Sequence, residues 1–414
     1  MTTNVDLKDE TPTFGNVLLP AGAVGLRVLS LFDGMSCGQQ ALERIGVNVL
    51  EYYASEIDKH AIAVTMHNYP NTKQLGSVID VDGYKLPKID LLIGGSPCQS
   101  FSFAGKRKGM STKCETEILT LEHYLELKAE GYEFEGQSYL FWEYMRLLNE
   151  VKPKYFLLEN VMMGEKWEKI LSKAIGVKPI EINSALVSAQ NRRRLYWTNI
   201  GMQPMGLFGD LESIIPQPKD KGILLKDILE SEVNPKYFIS EKMIDRIKRS
   251  NNGEKCFADN QKSMCLAAGY FKQGRDNQLV TVHNTMPRSS KTGKGGTGPL
   301  SRNDGKTYCL DTGQTNVIEV LGGDFRHDEG FRWRENGKSG TLSTKGATEN
   351  SLSGIPLSKI QGNIRRLTPL ECERLQTVKD GYTSVASDSQ RYRMLGNGWT
   401  VDVIAHILSF GEWS

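Results

Sequence analysis

From Val28 onward the chain alternates short apolar runs with amphipathic stretches, and this alternation restricts the possible folds more than any other feature of its 414 residues. Val28-Leu29-Ser30-Leu31-Phe32 reads as a buried strand, and the turn Asp33-Gly34-Met35-Ser36-Cys37-Gly38 leads into a helical stretch over 39–45. Residues 50–55 read as a second strand ending at Glu56, a helix follows over about 58–68, and further strands are expected near Val78 and over 89–93. Later, 155–158 and 180–187 read as strands with a helix near 166–175 between them. Alternation on this scale predicts an α/β fold built on a doubly wound, mostly parallel, Rossmann-like sheet.

The pattern changes after about residue 205, where Gly, Ser, Thr, Asn and Lys come to dominate. A chain of this length exceeds what one hydrophobic core usually serves, so a second, smaller domain is expected. The division we read is an extension over 1–25, a first domain over 26–205, a second over 206–360 and a return segment over 361–414. In the return segment Thr368-Pro369-Leu370-Glu371 combines a capping box with proline at the first helical position. The last helix, over 400–410, places Val401, Ile404, Ile407 and Leu408 on one face and completes the first domain.

The net charge of +2 says nothing as a total, so any nucleic-acid contact must come from local patches. One such patch is 283–306, where Arg288, Lys291, Lys294, Arg302 and Lys306 stand against Asp304 alone. It reads either as a solvated loop or as a phosphate-contacting arm. No apolar run approaches the roughly 20 residues of a membrane span, and the first ten residues are polar, unlike a secretory signal. Seven cysteines without a C-x-x-C pair argue against a disulfide framework and against a structural metal. These features point to a reduced, cytoplasmic protein.

Chemistry gathers at the carboxyl ends of the predicted strands, the edge where open α/β sheets bind ligands. The run Leu91-Leu92-Ile93-Gly94-Gly95-Ser96-Pro97 delivers Cys98 there as a candidate nucleophile. The glycine turn after the first strand offers close backbone approach and free helix N–H groups. Its Gly34-x-x-x-Gly38 spacing departs from the G-x-G-x-x-G of nicotinamide oxidoreductases. Glu56 ends the second strand, placed to accept from two ribose hydroxyls. The strand beginning at Tyr155 delivers Glu159-Asn160-Val161, and Gln190 precedes Arg192-Arg193-Arg194, whose planar forks suit a carbonyl or a phosphate. Gly396-Asn397-Gly398 is read as opening the final helix.

Taken together, these motifs resemble those of the C5-cytosine DNA methyltransferases. Pro97-Cys98-Gln99 matches the family's nucleophile motif, Glu159-Asn160-Val161 its acid motif, Gln190, Arg192 and Arg194 its Gln-x-Arg-x-Arg motif, and Gly396-Asn397 its C-terminal Gly-Asn motif. Phe32, Gly34 and Gly38 meet the F-x-G-x-G-G cofactor motif less closely. The resemblance implies the S-adenosylmethionine-dependent methyltransferase fold, with 206–360 as target-recognition domain, and a DNA (cytosine-5)-methyltransferase acting on duplex DNA as a monomer. A cognate restriction endonuclease and a bacterial or phage source are further expectations. It assigns Cys98, Glu159, Arg192 and Arg194 to catalysis, with Arg194 at the cytosine O2. It assigns S-adenosylmethionine to Phe32, Asp33, Gly34, Ser36, Gly38, Glu56, Ile57, Ser77, Val78, Pro97, Asn397 and Trp399. DNA contacts fall to Gln99, Ser102, Lys106, Arg107, Gln190, Lys291 and Lys294.

The residues suit that chemistry. Cytosine C5 becomes nucleophilic once a thiolate adds at C6, and protonation of N3 by an acid of raised pKa, the role given to Glu159, eases the addition. The base must first leave the duplex stack. Two departures stand out. Gly76-Ser77 replaces the usual Gly-Asp, leaving the adenine amino group to the Ser77 hydroxyl or to backbone, and 106–137 is longer than the usual catalytic loop, with an acidic middle. A transfer-RNA cytosine methyltransferase on the same scaffold, or a silent DNA-binding regulator, are the rival readings. Gln99, the long recognition region, and the intact Cys98 and Glu159 weigh against them.

Overall fold

A computed structural model describes residues 25–97, 110–114, 116–205, 210–237, 279–284, 300–301, 316–319, 323–326, 330–333 and 363–413. The first domain is organised by strands β1 (Leu26–Leu31), β2 (Val49–Ser55), β3 (Lys73–Gln74) and β4 (Leu91–Gly95). A small antiparallel pair, β5 (Ser111–Thr112) and β6 (Phe134–Glu135), comes next, followed by β7 (Tyr155–Val161), β8 (Ile180–Asn183) and β9 (Arg193–Thr198). Seven of these form one sheet in the order β3-β2-β1-β4-β7-β9-β8. Neighbours from β3 to β7 pair in parallel, and β9 runs antiparallel to both β7 and β8. The link from β8 to β9 is too short for a crossover, so only an antiparallel return is open to it. The doubly wound, mostly parallel sheet is as the sequence predicts.

Side chains alternate between two cores on the two faces of the sheet. Val28, Leu91, Ile93 and Leu157 enter one; Leu29, Leu31, Leu92 and Leu158 enter the other. Helices α1 (Cys37–Arg44) and α2 (Lys59–Asn68) follow β1 and β2. On the second core lie α3 (Leu121–Ala129), α4 (Phe141–Val151) and α5 (Glu165–Ile175). The return segment brings α6 (Pro369–Leu375), α7 (Asp388–Asn397) and α8 (Val401–Leu408) onto the first core. Val401, Ile404, Ile407 and Leu408 are fully buried, as the periodicity requires. The capping box also forms: Thr368 Oγ1 accepts from the Glu371 N–H at 3.2 Å, and the Glu371 carboxylate accepts from the Thr368 N–H at 2.8 Å.

Because the chain winds outward from β1 toward β3 and then from β4 toward β8, the strand order reverses between β1 and β4. The carboxyl ends of these two neighbours form the crevice where open α/β sheets bind ligands. One leads into the glycine turn and the other into Ser96-Pro97.

Three local expectations need correction. Val78 lies in a turn and packs into the second core, while the third strand sits earlier at the polar edge pair Lys73–Gln74. The strand expected over 180–187 stops at Asn183, whose side chain accepts from the backbone N–H groups of Ala185 and Arg192, both at 3.0 Å, and so turns the chain. Gly396-Asn397 closes α7 instead of opening the last helix, whose N-cap is Thr400.

After β9 the chain forms an antiparallel pair, β10 (Met202–Met205) with β11 (Asp210–Ser213). Ile215, Leu225, Ile228 and Tyr237 then join the first core. Among the described residues of the remainder, β12 (Leu279–Asn284) pairs antiparallel with β13 (Leu300–Ser301), β14 (Asn316–Glu319) and β17 (Asn363–Arg366). β15 (Gly323–Arg326) pairs with β16 (Gly330–Trp333).

The acidic insertion, for which the sequence offers no account, is anchored to the sheet's helical layer. Met110, Ile118, Tyr124 and Leu127 enter the second core. Beneath them Glu143 of α4, with no exposed surface, accepts from the Tyr124 hydroxyl at 2.5 Å, Lys128 Nζ at 2.5 Å and Arg146 Nε at 2.7 Å. A carboxylate so deep is tolerated only because both oxygens are paired. Glu143→Ala should take one partner each from Tyr124, Lys128 and Arg146, the last of which keeps Glu150 and the Val78 carbonyl, and cost about 1.5–3 kcal/mol in a denaturant titration. A loss below about 1 kcal/mol would show that the insertion is held by its apolar contacts alone.

Candidate active site

At the end of β1 the backbone turns sharply. Phe32, Gly34 and Ser36 take left-handed φ angles of 57°, 58° and 59°. For Phe32 and Ser36 this conformation is strained. A Cβ built on Gly34 meets nothing within 4 Å, so open space lies over the turn there. At Gly38 the reverse holds: a Cβ would lie 2.3 Å from Ile93 Cδ1, so this glycine lets α1 press onto β4.

Two carboxylates face the turn. Glu56, at the end of β2, accepts from the Gly34 N–H at 2.8 Å through one oxygen and from the N–H groups of Ile57 and Asp58, at 2.7 and 2.8 Å, through the other. Beside it the Ile57 side chain is 72 % exposed, the reverse of what an isoleucine normally does. Asp33 is half-buried and accepts from the Tyr52 hydroxyl at 2.8 Å and from the Ser36 hydroxyl. Burial raises its carboxyl to about 6, against the opposing hydroxyls of Ser30, Ser36 and Tyr52, with Glu56 adding to the rise. Burial also pushes the Cys37 thiol up to about 12, so this cysteine, though near the turn, is an inert core group. Ser77 directs its hydroxyl to the Ile79 N–H at 3.4 Å, and Val78 beside it is buried.

At the second strand end, Glu159 of β7 sits opposite Tyr196 of β9, and Val161 sits opposite Arg194. That register puts Arg194 diagonally across from Glu159, where long side chains meet. Arg194 Nε lies 3.0 Å from Glu159 Oε1. The other oxygen, Oε2, accepts from Trp399 Nε1 at 3.2 Å. Asn160 is buried and donates to Ser96 Oγ at 3.0 Å, which ties the end of β7 to the peptide that leads into Pro97 and Cys98. Cys98 itself, with Gln99, Ser102, Lys106, Arg107, Lys291 and Lys294, lies outside the described residues.

Two side chains that the sequence assigns to DNA and to catalysis are buried and hold the return segment. Gln190, expected at the DNA, has no exposed surface; its amide donates to the Leu375 carbonyl and to Gln376 Oε1, both at 3.0 Å. Arg192, expected beside Arg194 in the reaction, is 4 % exposed and donates to the carbonyls of Gly396 at 3.2 Å and Gly398 at 2.9 Å. Both residues clamp the return segment. Gln376 completes the clamp: its amide donates to the Leu395 carbonyl at 2.6 Å, and its own carbonyl accepts from Thr400 Oγ1 at 2.9 Å. No sequence signal marks Gln376, a polar residue at a helix end. A Cβ on Gly398 would stand 2.9 Å from Met35 Cε, so the clamped peptide rests on the glycine turn, with Asn397 exposed on one side and Trp399 directed to Glu159 on the other.

Comparison with known proteins agrees with this geometry. The family model for C-5 cytosine-specific DNA methylases matches residues 26–410. The orphan methyltransferase M.SPRI of Bacillus phage SPR is 28% identical, over 92% of this chain and 96% of its own length. The type II methyltransferase M.HgiCI of Herpetosiphon aurantiacus is 25% identical over 92% of this chain and 97% of its own. Among solved structures, the Entamoeba histolytica methyltransferase EhMeth superposes with a TM-score of 0.55 at 14% identity, covering 93% of this chain and 97% of that one. A DNMT2 of Spodoptera frugiperda gives 0.52 at 19%, covering 93% and 99%. These two likenesses concern the fold. With motifs, fold and family match in agreement, the chain belongs to the family of C-5 cytosine-specific DNA methylases.

Proposed function

We propose that this enzyme methylates C5 of a cytosine flipped out of a specific duplex DNA sequence, through a covalent bond between Cys98 and C6. The observation that carries the reading is the Glu159 carboxylate at the sheet's ligand-binding edge, with Arg194 3.0 Å from one oxygen. Cys98 follows Pro97 at the neighbouring strand end, and its thiolate adds to C6. Glu159 delivers a proton to N3 as the bond forms, so negative charge does not build up on the ring. Arg194 holds the cytosine O2 and fixes the ring against both groups. The addition leaves C5 electron-rich. After methyl transfer the C5 proton passes to water, the Cys98 thiolate is eliminated and N3 returns its proton to Glu159, which restores aromaticity and the enzyme. Extrusion of the base costs roughly a few kcal/mol, to be offset by contacts from the recognition region 206–360. In this reading the protein acts as a monomer on DNA, and a cognate endonuclease is its natural counterpart.

The first strand end fits S-adenosylmethionine. Open space lies over Gly34, an exposed Ile57 offers an apolar face for the adenine, and Glu56 offers carboxylate oxygens to the ribose hydroxyls. Phe32, Ser36, Gly38, Ser77, Val78, Pro97 and Asn397 complete the surroundings in this reading. Half-buried Asp33 answers the ligand's positive charge. When bound, S-adenosylmethionine supplies an electrophilic methyl group.

Two outcomes test the proposal. Cys98→Ala should abolish methyl transfer to duplex DNA while keeping cofactor and DNA binding, and Glu159→Gln should lower kcat by about 10²–10⁴-fold. Wild-type turnover in the first variant would rule out the covalent route; in the second it would remove the acid role. For the cofactor, Asp33 is neutral below about pH 6 and an anion above it. The Kd for S-adenosylmethionine should therefore tighten severalfold from about pH 5 to 7, and Asp33→Asn should flatten that dependence. An identical pH profile in the variant, read by calorimetry, would detach Asp33 from cofactor binding.

A further inference from the structure

Among the side chains around the proposed acid, Trp399 stands out because it comes from the far end of the chain. We propose that Trp399 is a positioning residue for Glu159, its indole N–H holding one carboxylate oxygen while Arg194 holds the other. This rests on the reading of Glu159 as the acid that protonates the base. The indole Nε1 lies 3.2 Å from Oε2, and Arg194 Nε lies 3.0 Å from Oε1. The two donors approach from different elements, β9 and the peptide between α7 and α8, so together they fix the plane of the carboxyl group.

A second observation comes from the neighbouring strand. A Cβ on Gly95, at the end of β4, would stand 2.8 Å from Trp399 Nε1 and 3.1 Å from Glu159 Oε2. Real Cβ atoms essentially never come as close as the first of these. The strand end is bare where the indole and the carboxylate meet. Gly95 has no left-handed φ, so its lack of a side chain answers a demand for space, not a demand on the backbone.

The choice of donor also fits. An indole N–H can donate but not accept, so it cannot take the proton that the acid must deliver to the base. It is neutral, so it orients the carboxyl group without adding a second positive charge beside Arg194. The indole is rigid, and its backbone is held by Arg192 and Gln376 through the Gly398 carbonyl, at 2.9 and 3.3 Å. Little freedom remains to be lost when the base arrives. Arg192 and Gln376 thereby reach the acid at second hand, which explains why an arginine so near the reaction is turned to backbone carbonyls.

The experiment is a double-mutant cycle on single-turnover methyl transfer, with Trp399→Phe and Glu159→Ala singly and together, and with kcat and KM measured for Trp399→Phe. The expected result is a roughly tenfold loss of kcat in Trp399→Phe, the range for one hydrogen bond to a charged group, with KM for S-adenosylmethionine within about twofold of wild type. In the Glu159→Ala background the same change should have almost no effect. An equal loss in both backgrounds would overturn the proposal, as would a rise in KM with kcat unchanged, which would make Trp399 a wall of the cofactor site. Gly95→Ala keeps the indole but intrudes between the pair, and should reproduce the loss of kcat; a folded Gly95→Ala with wild-type kcat would equally contradict it. Wild-type turnover in Glu159→Ala would instead remove the acid reading itself, an outcome distinct from the others.

Discussion

The arrangement depends on one carboxylate, Glu159, being held at the open end of a buried strand. Glu159 is 9 % exposed, and a carboxyl group that far from water needs hydrogen-bond partners for its oxygens. Neither donor comes from its own strand. Arg194 is supplied by β9 and Trp399 by a peptide 240 residues further along the chain. The chain must therefore return to this sheet after the long stretch that follows β9, and the return must be registered to within a hydrogen bond.

Two features of the fold supply that registration. The antiparallel β9 places Arg194 diagonally across from Glu159, and its lead-in carries Gln190 and Arg192 inward as clamps. The return segment presents carbonyls from Leu375, Leu395, Gly396 and Gly398 to those clamps, with Gln376 bridging between them. A buried polar network of this kind rigidifies when its hydrogen bonds are complete and is costly when one is missing. One short segment thus does two jobs: 190 and 192 lock the C-terminal peptide in place, and 194 meets Glu159.

Much of this was legible in the sequence. Strand-helix alternation is a strong signal because parallel strands, buried on both faces, read as continuous apolar runs. The motif residues at the ends of β1, β4 and β7 could be placed because those strands are long and apolar. The Thr368 capping box and the apolar face of the last helix were equally clear, since each depends on fixed spacing. Other features were not. Val78 is apolar and β-branched, yet it packs from a turn, because burial rather than strand pairing satisfies it. Gln190 and Arg192 are polar residues in a family motif, and spacing alone does not show that they hold the carbonyls of the return segment. The Tyr124–Glu143–Lys128 cluster joins residues from separate helices, so only the folded chain brings them together. The Gly95 and Trp399 contact is invisible for the same reason.

The central claim is that this edge methylates cytosine C5 in duplex DNA, and the most direct measurement is expression of the full chain in a methylation-free bacterial host followed by bisulfite sequencing of the genome. The account predicts cytosines protected in one recurring sequence context, with protection lost when Cys98 is replaced by alanine. Unprotected genomic DNA from cells holding folded protein that binds S-adenosylmethionine would contradict it, and protected cytosines in cellular RNA instead would move the substrate from DNA to RNA.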